Sequence, residues 1–390
     1  MKLSYVKIHQ KYIIIKITGG QMKKILLLTI LIIGIFLVNS MGKEVKNSDS
    51  PAKGTFNFKL QRVLSIDSAG KDLFAKINMI KVSDDNYLYV HDRKNKRYYI
   101  YDNNGKFIKG FGKKGEGPGE IKWIQQAQFF LKNNKILVAD MDKISYFSKH
   151  GNFIKSIKNN HMQMRPVLFL DENTFISAPL LQLNIEKKGS KIIKYNLKTK
   201  KIREIAEFPL FKGGVARKKG NVIALAIGGL TPMMIIGYHN NMLYYGMNNS
   251  YTIHISNMQG KKIYTFSLDR KAQAITDADI RNKFKETRIP DDMLDIIVES
   301  MPRKLTYFSK IEVHNNLIYV FRSYLERNNR QQIDIFSLEG DYLYRAFIKV
   351  DKGLTIDANP FIKDGYLYLV LEDEEGEVSI TKYKIELPLK

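Results

Sequence analysis

One pattern recurs six times along the chain: a two-residue polar turn, then a short strand rich in β-branched and aromatic residues. It reads Asp85-Asn86-YLYV, Asn133-Asn134-KILV, Glu172-Asn173-TFIS, Asn240-Asn241-MLYY, Asn315-Asn316-LIYV and Asp364-Gly365-YLYL. The turn residues tolerate positive φ, as two-residue hairpins require. The strands alternate as a pleated, half-buried surface does. Five copies run into a second hairpin, such as YYIYDNNGKFIKGFG (98–112) or IDIFSLEGDYLYRAF (333–347). Gly105, Gly151, Gly260 and Gly340 hold one place in that turn, and Lys198-Thr199-Lys200 replaces it in the third copy. Each unit thus has four strands, A to D, and such antiparallel units at about 40–50 residues are propeller blades. Spacings of 39 to 75 residues between first turns leave room for insertions.

The sixth copy ends at ITKYKIELPLK without a D strand, while FNFKLQRVLSI (56–66) is a strand with no partner. An open ring exposes edges. Residues 56–66 are therefore expected to close the last blade beside 378–386. The expected fold is an all-β, six-bladed β-propeller over 55–388, with four-stranded antiparallel blades and an N-terminal strand closing the last one. The longest interval carries a small helical insertion between blades four and five, over 267–304. There Thr276-Asp-Ala-Asp279 reads as an N-cap with acids in the first turn, and Pro290-Asp-Asp opens a second helix over 293–301. Packed on the rim or acting as a lid, it belongs to a D–A crossover, as does the insertion at 206–235.

Ahead of the repeats, Met22-Lys-Lys precedes an uncharged run, Ile25 to Val38, and then Asn39-Ser40-Met41-Gly42. This is the charge, apolar core and small-residue order of a signal peptide, or of an uncleaved signal anchor. Residues 1–21 are read as an upstream extension with the start at Met22, 22–42 as the signal segment and 43–54 as a polar linker. An extracytoplasmic location follows, periplasmic or secreted, with membrane contact only through 25–38. The absence of cysteine excludes a disulfide framework, a thiolate zinc site, a Cys nucleophile and a lipidated Cys.

The net charge of +24 raises the question of nucleic acid. Of the 63 basic residues, 49 are Lys and 14 Arg. That bias is what AT-rich coding produces, so no nucleic-acid partner is expected.

Val90-His91-Asp92-Arg93-Lys94-Asn95-Lys96-Arg97-Tyr98, running into its Gly hairpin, resembles an NHL-type blade, with Asp92, Asn95 and Arg97 matching. The following Gly112-Lys-Lys-Gly115-Glu-Gly117-Pro118-Gly119-Glu120 is similar to the loop of exported bacterial six-bladed β-propellers, the family that also includes TolB-like members. Asp140 keeps the blade-one Asp, while the Asn and Arg are lost there. The resemblance implies a fold and an extracytoplasmic site and no particular activity.

For chemistry the chain is sparse. The glycine loop lacks the helix and Gly-Lys-[Ser/Thr] that cradle phosphate, so it reads as a crossover. No G-x-S-x-G or H-E-x-x-H pattern occurs, so no cofactor is expected. His239 and His314 fall in equivalent A–B turns, and only His91 and His161 approach the D–A/B–C face. Two histidines without a third do not make a zinc site, and no metal is expected. The D–A and B–C loops are basic, with Arg93, Lys94, Lys96, Arg97, Lys113, Arg165 and Arg322 among them, opposed by Glu372–Glu377. The expectation is a monomeric binding module for a polysaccharide, peptide or protein, with an anionic glycan or peptide suited to the basic D–A/B–C face, engaged through Arg97, Arg165, Arg322, Asp92, Asp140, His91 and His161. The alternative is a hydrolase or lyase at the channel mouth.

Overall fold

The computed structural model describes residues 4–8, 11–15, 43–124, 127–141, 143–158, 166–178, 189–209, 216–218, 221–224, 229–285, 289–325, 328–357 and 360–389. In the N-terminal unit Ser4–Ile8 pairs antiparallel with Lys11–Ile15. The signal segment 22–42 lies outside the described residues. No described helix is long and apolar enough to cross a membrane.

From Glu44 onward the chain forms six antiparallel sheets in sequence order. Blade one is built from Ile77–Val82, Leu88–Asp92, Arg97–Tyr101 and Phe107–Phe111. The A–B turns adopt the left-handed backbone that the Asn pairs imply, with φ of 50° and 56° at Asn133 and Asn134 and 46° and 58° at Asn315 and Asn316. The C–D turns are left-handed at Gly105 and, in the third copy, at Lys200. Gly105 also packs closely, so that a Cβ there would lie 2.7 Å from a Leu64 methyl, which would have to shift.

The ring is visible in the packing. Six apolar clusters fill the six seams between neighbouring blades, including the seam between blades six and one, where Tyr368, Val370 and Ile380 meet Ile80, Val90 and Tyr99. Successive residues of one strand serve opposite seams, as the pleat demands. Tyr244 packs toward blade five, and its neighbours Leu243 and Tyr245 toward blade three.

Closure uses half of the expected segment. Gln61–Ile66 pairs antiparallel with Ile380–Lys384 as the outer strand of blade six. Thr55–Asn57 instead runs parallel to Arg345–Phe347 on the outer edge of blade five. Residues 43–54 are not a linker: Lys43–Ser48 forms the fifth, outermost strand of blade four. Asn47 Nδ2 donates to the carbonyls of Ser267 and Gly340, and Asn47 Oδ1 accepts from Tyr342 N. The segment is thus a strap along three consecutive blades. Its polar sequence hid it, because an outer-edge strand is held by backbone and amide hydrogen bonds and buries little beyond Val45.

The insertion between blades four and five is helical as expected. Helix α1, Asp277–Lys283, carries a full capping box between Thr276 and Asp279, and α2 spans Asp291–Ser300. Ile280, Ile297, Val298 and Met301 form a separate cluster with Leu230 and Leu305. The helices are therefore packed on the rim rather than standing free as a lid.

Candidate functional site

The loops of the D–A/B–C face are organised by buried carboxylates. Asp92, fully buried at the end of strand B, accepts from the backbone N–H of Ala75, Lys76, Lys94 and Asn95 and from Asn95 Nδ2. One side chain thus shapes the B–C turn and fastens the incoming crossover to it. Asp140 does the same more sparsely in blade two, accepting from Trp123 N and Met141 N among the described residues. Both were expected to contact ligand. Their oxygens are spent on the scaffold.

His91 is likewise internal. It is fully buried and stacked on Tyr98 at 4.3 Å between ring centroids. Burial pushes its pKa down to about 4, so the ring is neutral and packs as an aromatic. Arg97 is exposed and lies against Gly110, away from any partner among the described residues. Arg322 is turned inward: its Nη1 is buried without a hydrogen-bond partner, and burial together with the neighbouring Arg270 lowers its pKa. Arg165 and His161 lie outside the described residues. Among the described residues, the expected set does not converge on one site.

The glycine loop also closes on itself. Glu120 Oε2 accepts from Gly117 N, and its other oxygen pairs with Lys113 at 3.0 Å. A Cβ at Gly115 would lie 2.0 Å from that carboxylate. The glycines make room for Glu120, which agrees with a crossover and leaves no cradle for phosphate.

What the face does assemble is a cavity of about 440 Å³ at the seam of blades six and one, lined by Lys76, Arg93, Lys94, Glu372, Gly376 and Val378. Its two walls carry opposite charge. The blade-one loop offers Arg93 and Lys94, both exposed and without an ion pair among the described residues, with Lys96 and Arg97 beyond. The blade-six loop runs Glu372-Asp-Glu-Glu-Gly-Glu377, its turn held by Asp373 accepting from Glu375 N and Glu377 N. Lys76 pairs with the buried Asp357 at 2.8 Å. Lys76 and Asp357 went unseen in the sequence because their pairing spans 281 residues.

A second group sits at the other end of the innermost strands. Glu312 pairs with Lys310 at 2.6 Å and with His314 at 3.2 Å. Burial alone would raise the Glu312 carboxyl, but Lys310 and His314 outweigh it and hold the pKa at about 2. His239 of blade four has its pKa lowered by burial and by the nearby His314. Lys81 of blade one reaches toward this group, its Nζ 5.8 Å from the Phe361 ring of blade six. The two histidines were expected at this end. The lysines and Glu312 were not, since a charged residue within an alternating strand reads as a solvated face.

Residues 57–200 match a family model described as a 6-bladed beta-propeller. An exported protein from Bacteroides fragilis is similar in structure, with a TM-score of 0.56 at 14% identity over 89% of this chain and 100% of that one. A member of the duf4221 family from Bacteroides vulgatus gives 0.53 at 13% identity, over 85% and 99%. No curated protein matches the sequence. The family match in blades one to three and the six filled seams agree on one conclusion: the chain is a six-bladed β-propeller, similar in fold to two Bacteroides proteins, one of them described as exported.

Proposed function

We propose that this propeller is an exported, non-catalytic binding module that holds a polypeptide segment carrying both signs of charge at the seam of blades six and one. The observation that carries the reading is the cavity with a basic wall, Arg93 and Lys94, facing an acidic wall that begins at Glu372. A purely anionic glycan would be attracted by one wall and repelled by the other, whereas a mixed-charge chain is complementary to both. The charged n-region and apolar run of 22–38 support delivery outside the cytoplasm, by a cleaved signal peptide or an anchor. The enzyme alternative at this mouth has less support: the buried carboxylates Asp92, Asp140 and Asp357 are tied into turns or an ion pair.

Three synthetic peptides of equal length test the reading: alternating Glu-Lys, poly-Glu and poly-Lys. The alternating peptide should bind the full chain most tightly, weaken with salt, and lose about tenfold or more in affinity to the double variant Arg93→Ala, Lys94→Ala. Preference for poly-Glu would return the ligand to the anionic class. No binding by any of the three, or binding indifferent to the double variant, would remove the seam from consideration.

A further inference from the structure

The end of the channel opposite the loop face gathers charge that the seam reading does not use. Lys81, Lys310, Glu312 and His314, with His239 and Phe361, all lie on the innermost strands of blades one, four, five and six. Lys310 is committed: it donates to Glu312 Oε1 at 2.6 Å and to the Pro360 carbonyl at 2.5 Å. Glu312 is committed on both oxygens, the second to His314. Nearby Lys363 is committed to Asp84 at 2.7 Å. Lys81 is not. It makes no hydrogen bond or ion pair among the described residues, and its only polar contact is with the face of Phe361, which Lys310 also approaches at 5.5 Å. Two ammonium groups therefore flank one ring while one carboxylate serves them both.

Solvent still reaches the place. Lys81 is half-buried, and the side chains of Lys310, Glu312 and His314 are 23%, 15% and 25% exposed. A surplus cation in a partly desolvated place favours a counter-charge, and its field acts on whatever anion approaches. Burial and the charge on Lys310 disfavour the protonated form of Lys81, and the attraction of Glu312, shared with Lys310, does not make up for them.

We propose that this end of the channel is a binding site for one small anionic group, a carboxylate or a phosphate, received by Lys81 Nζ with Lys310 as the second cation. Glu312 positions Lys310 and, by its own charge, limits the site to a single anion. His314 and His239 sit beside it. The proposal stands apart from the seam of blades six and one, which lies at the opposite end of the blades.

The test is calorimetric titration of the full chain with inorganic phosphate and with acetate, each against chloride at equal ionic strength. At least one should bind with a stoichiometry of one, and which one binds assigns the class. Lys81→Met should weaken that binding about tenfold or more, the cost of losing a charged hydrogen-bond partner. Arg93→Ala with Lys94→Ala should leave it unchanged, and Lys81→Met should leave peptide binding at the seam unchanged, so the two readings fail separately. A second measurement needs no variant: the bound anion should slow amine-reactive labelling of Lys81 several-fold in peptide mass spectrometry while Lys94 labels at its usual rate. The proposal is overturned if neither anion binds better than chloride, if Lys81→Met binds as the native chain does, or if the anion leaves Lys81 labelling unaltered.

Discussion

Blade five carries two sets of buried charge, one on each side of its sheet, and they are built on different plans. At the seam with blade four, Asp334 is fully buried and accepts from Arg270 at 2.5 Å, Tyr251 at 2.7 Å, Tyr342 at 2.8 Å and Gln332 at 3.1 Å. Arg270 continues to Asp49 on the strap, which also pairs with Arg345 at 2.7 Å. Burial next to Asp334 raises the Tyr251 hydroxyl well above its usual range, so it stays protonated and donates. On the channel side, Lys310, Glu312 and His314 form a shorter chain that leaves Lys81 over. In the first set both oxygens of Asp334 and all three nitrogens of Arg270 have partners within the protein, with Arg345 Nε at the margin buried and unpartnered, and the set works as a clamp. In the second the arithmetic does not close within the protein, and the remainder points outward.

That contrast is breakable. The largest effect is expected for Asp334→Ala, which leaves Arg270 partly uncompensated and two tyrosines without acceptors. Removing one member of such a buried pair costs about 3–5 kcal/mol, visible as a fall in the thermal midpoint by calorimetry. Lys81→Met, which removes an unpartnered cation, should leave the midpoint unchanged or raise it. Equal losses in the two variants would show that both sets are structural.

The same comparison extends to the loop carboxylates. Asp92→Ala strands five donors and should cost on the order of 3 kcal/mol, Asp140→Ala with its two described donors roughly half of that. Denaturant unfolding of the two variants measures the difference. If Asp140→Ala proves the more damaging, the hydrogen-bond count is the wrong currency.

The smallest effect lies in acid. His91 has a folded-state pKa of about 4, below its ordinary value of 6.5, so it favours folding above pH 6.5 and that contribution is lost as pH falls toward 4. Between pH 7 and 5.5 the loss is about 1 kcal/mol. Glu312, held at about 2 from 4.5, adds a second loss only below pH 4.5. His91→Phe should flatten the stability profile from pH 6.5 to 4 and leave the lower limb in place. An unaltered profile would place the acid sensitivity elsewhere.

How much of this was legible follows from where each interaction closes. The Asn-Asn and Gly turns were readable because a positive φ is decided within two residues. Closure of blade six was readable because an unpaired strand and an incomplete blade are both visible as a miscount. The strap was not, since Lys43–Ser48 shows no apolar alternation. Nor were the sites. Asp334 and Arg270 lie 64 residues apart, and Lys76 and Asp357 lie 281 apart, so their pairing depends on the mutual register of separate blades. Arg322 looked like a loop cation by position, and its burial beside Arg270 of the preceding blade could not be read from its own hairpin.

The closing strand has a consequence in time. Ser65 and Thr381, hydrogen bonded at 3.0 Å, lie 316 residues apart. At about 5–20 residues per second of synthesis, the strand containing Ser65 waits roughly 16–60 s for its partner to exist. The strap upstream of it waits nearly as long for blades four and five. For that interval the earliest part of the chain is an open edge next to a growing stack of blades, and an unpaired edge recruits whatever strand arrives first. Its charged and amide-rich sequence, which conceals the strap from inspection, is also what keeps it from pairing with the wrong neighbour while it waits.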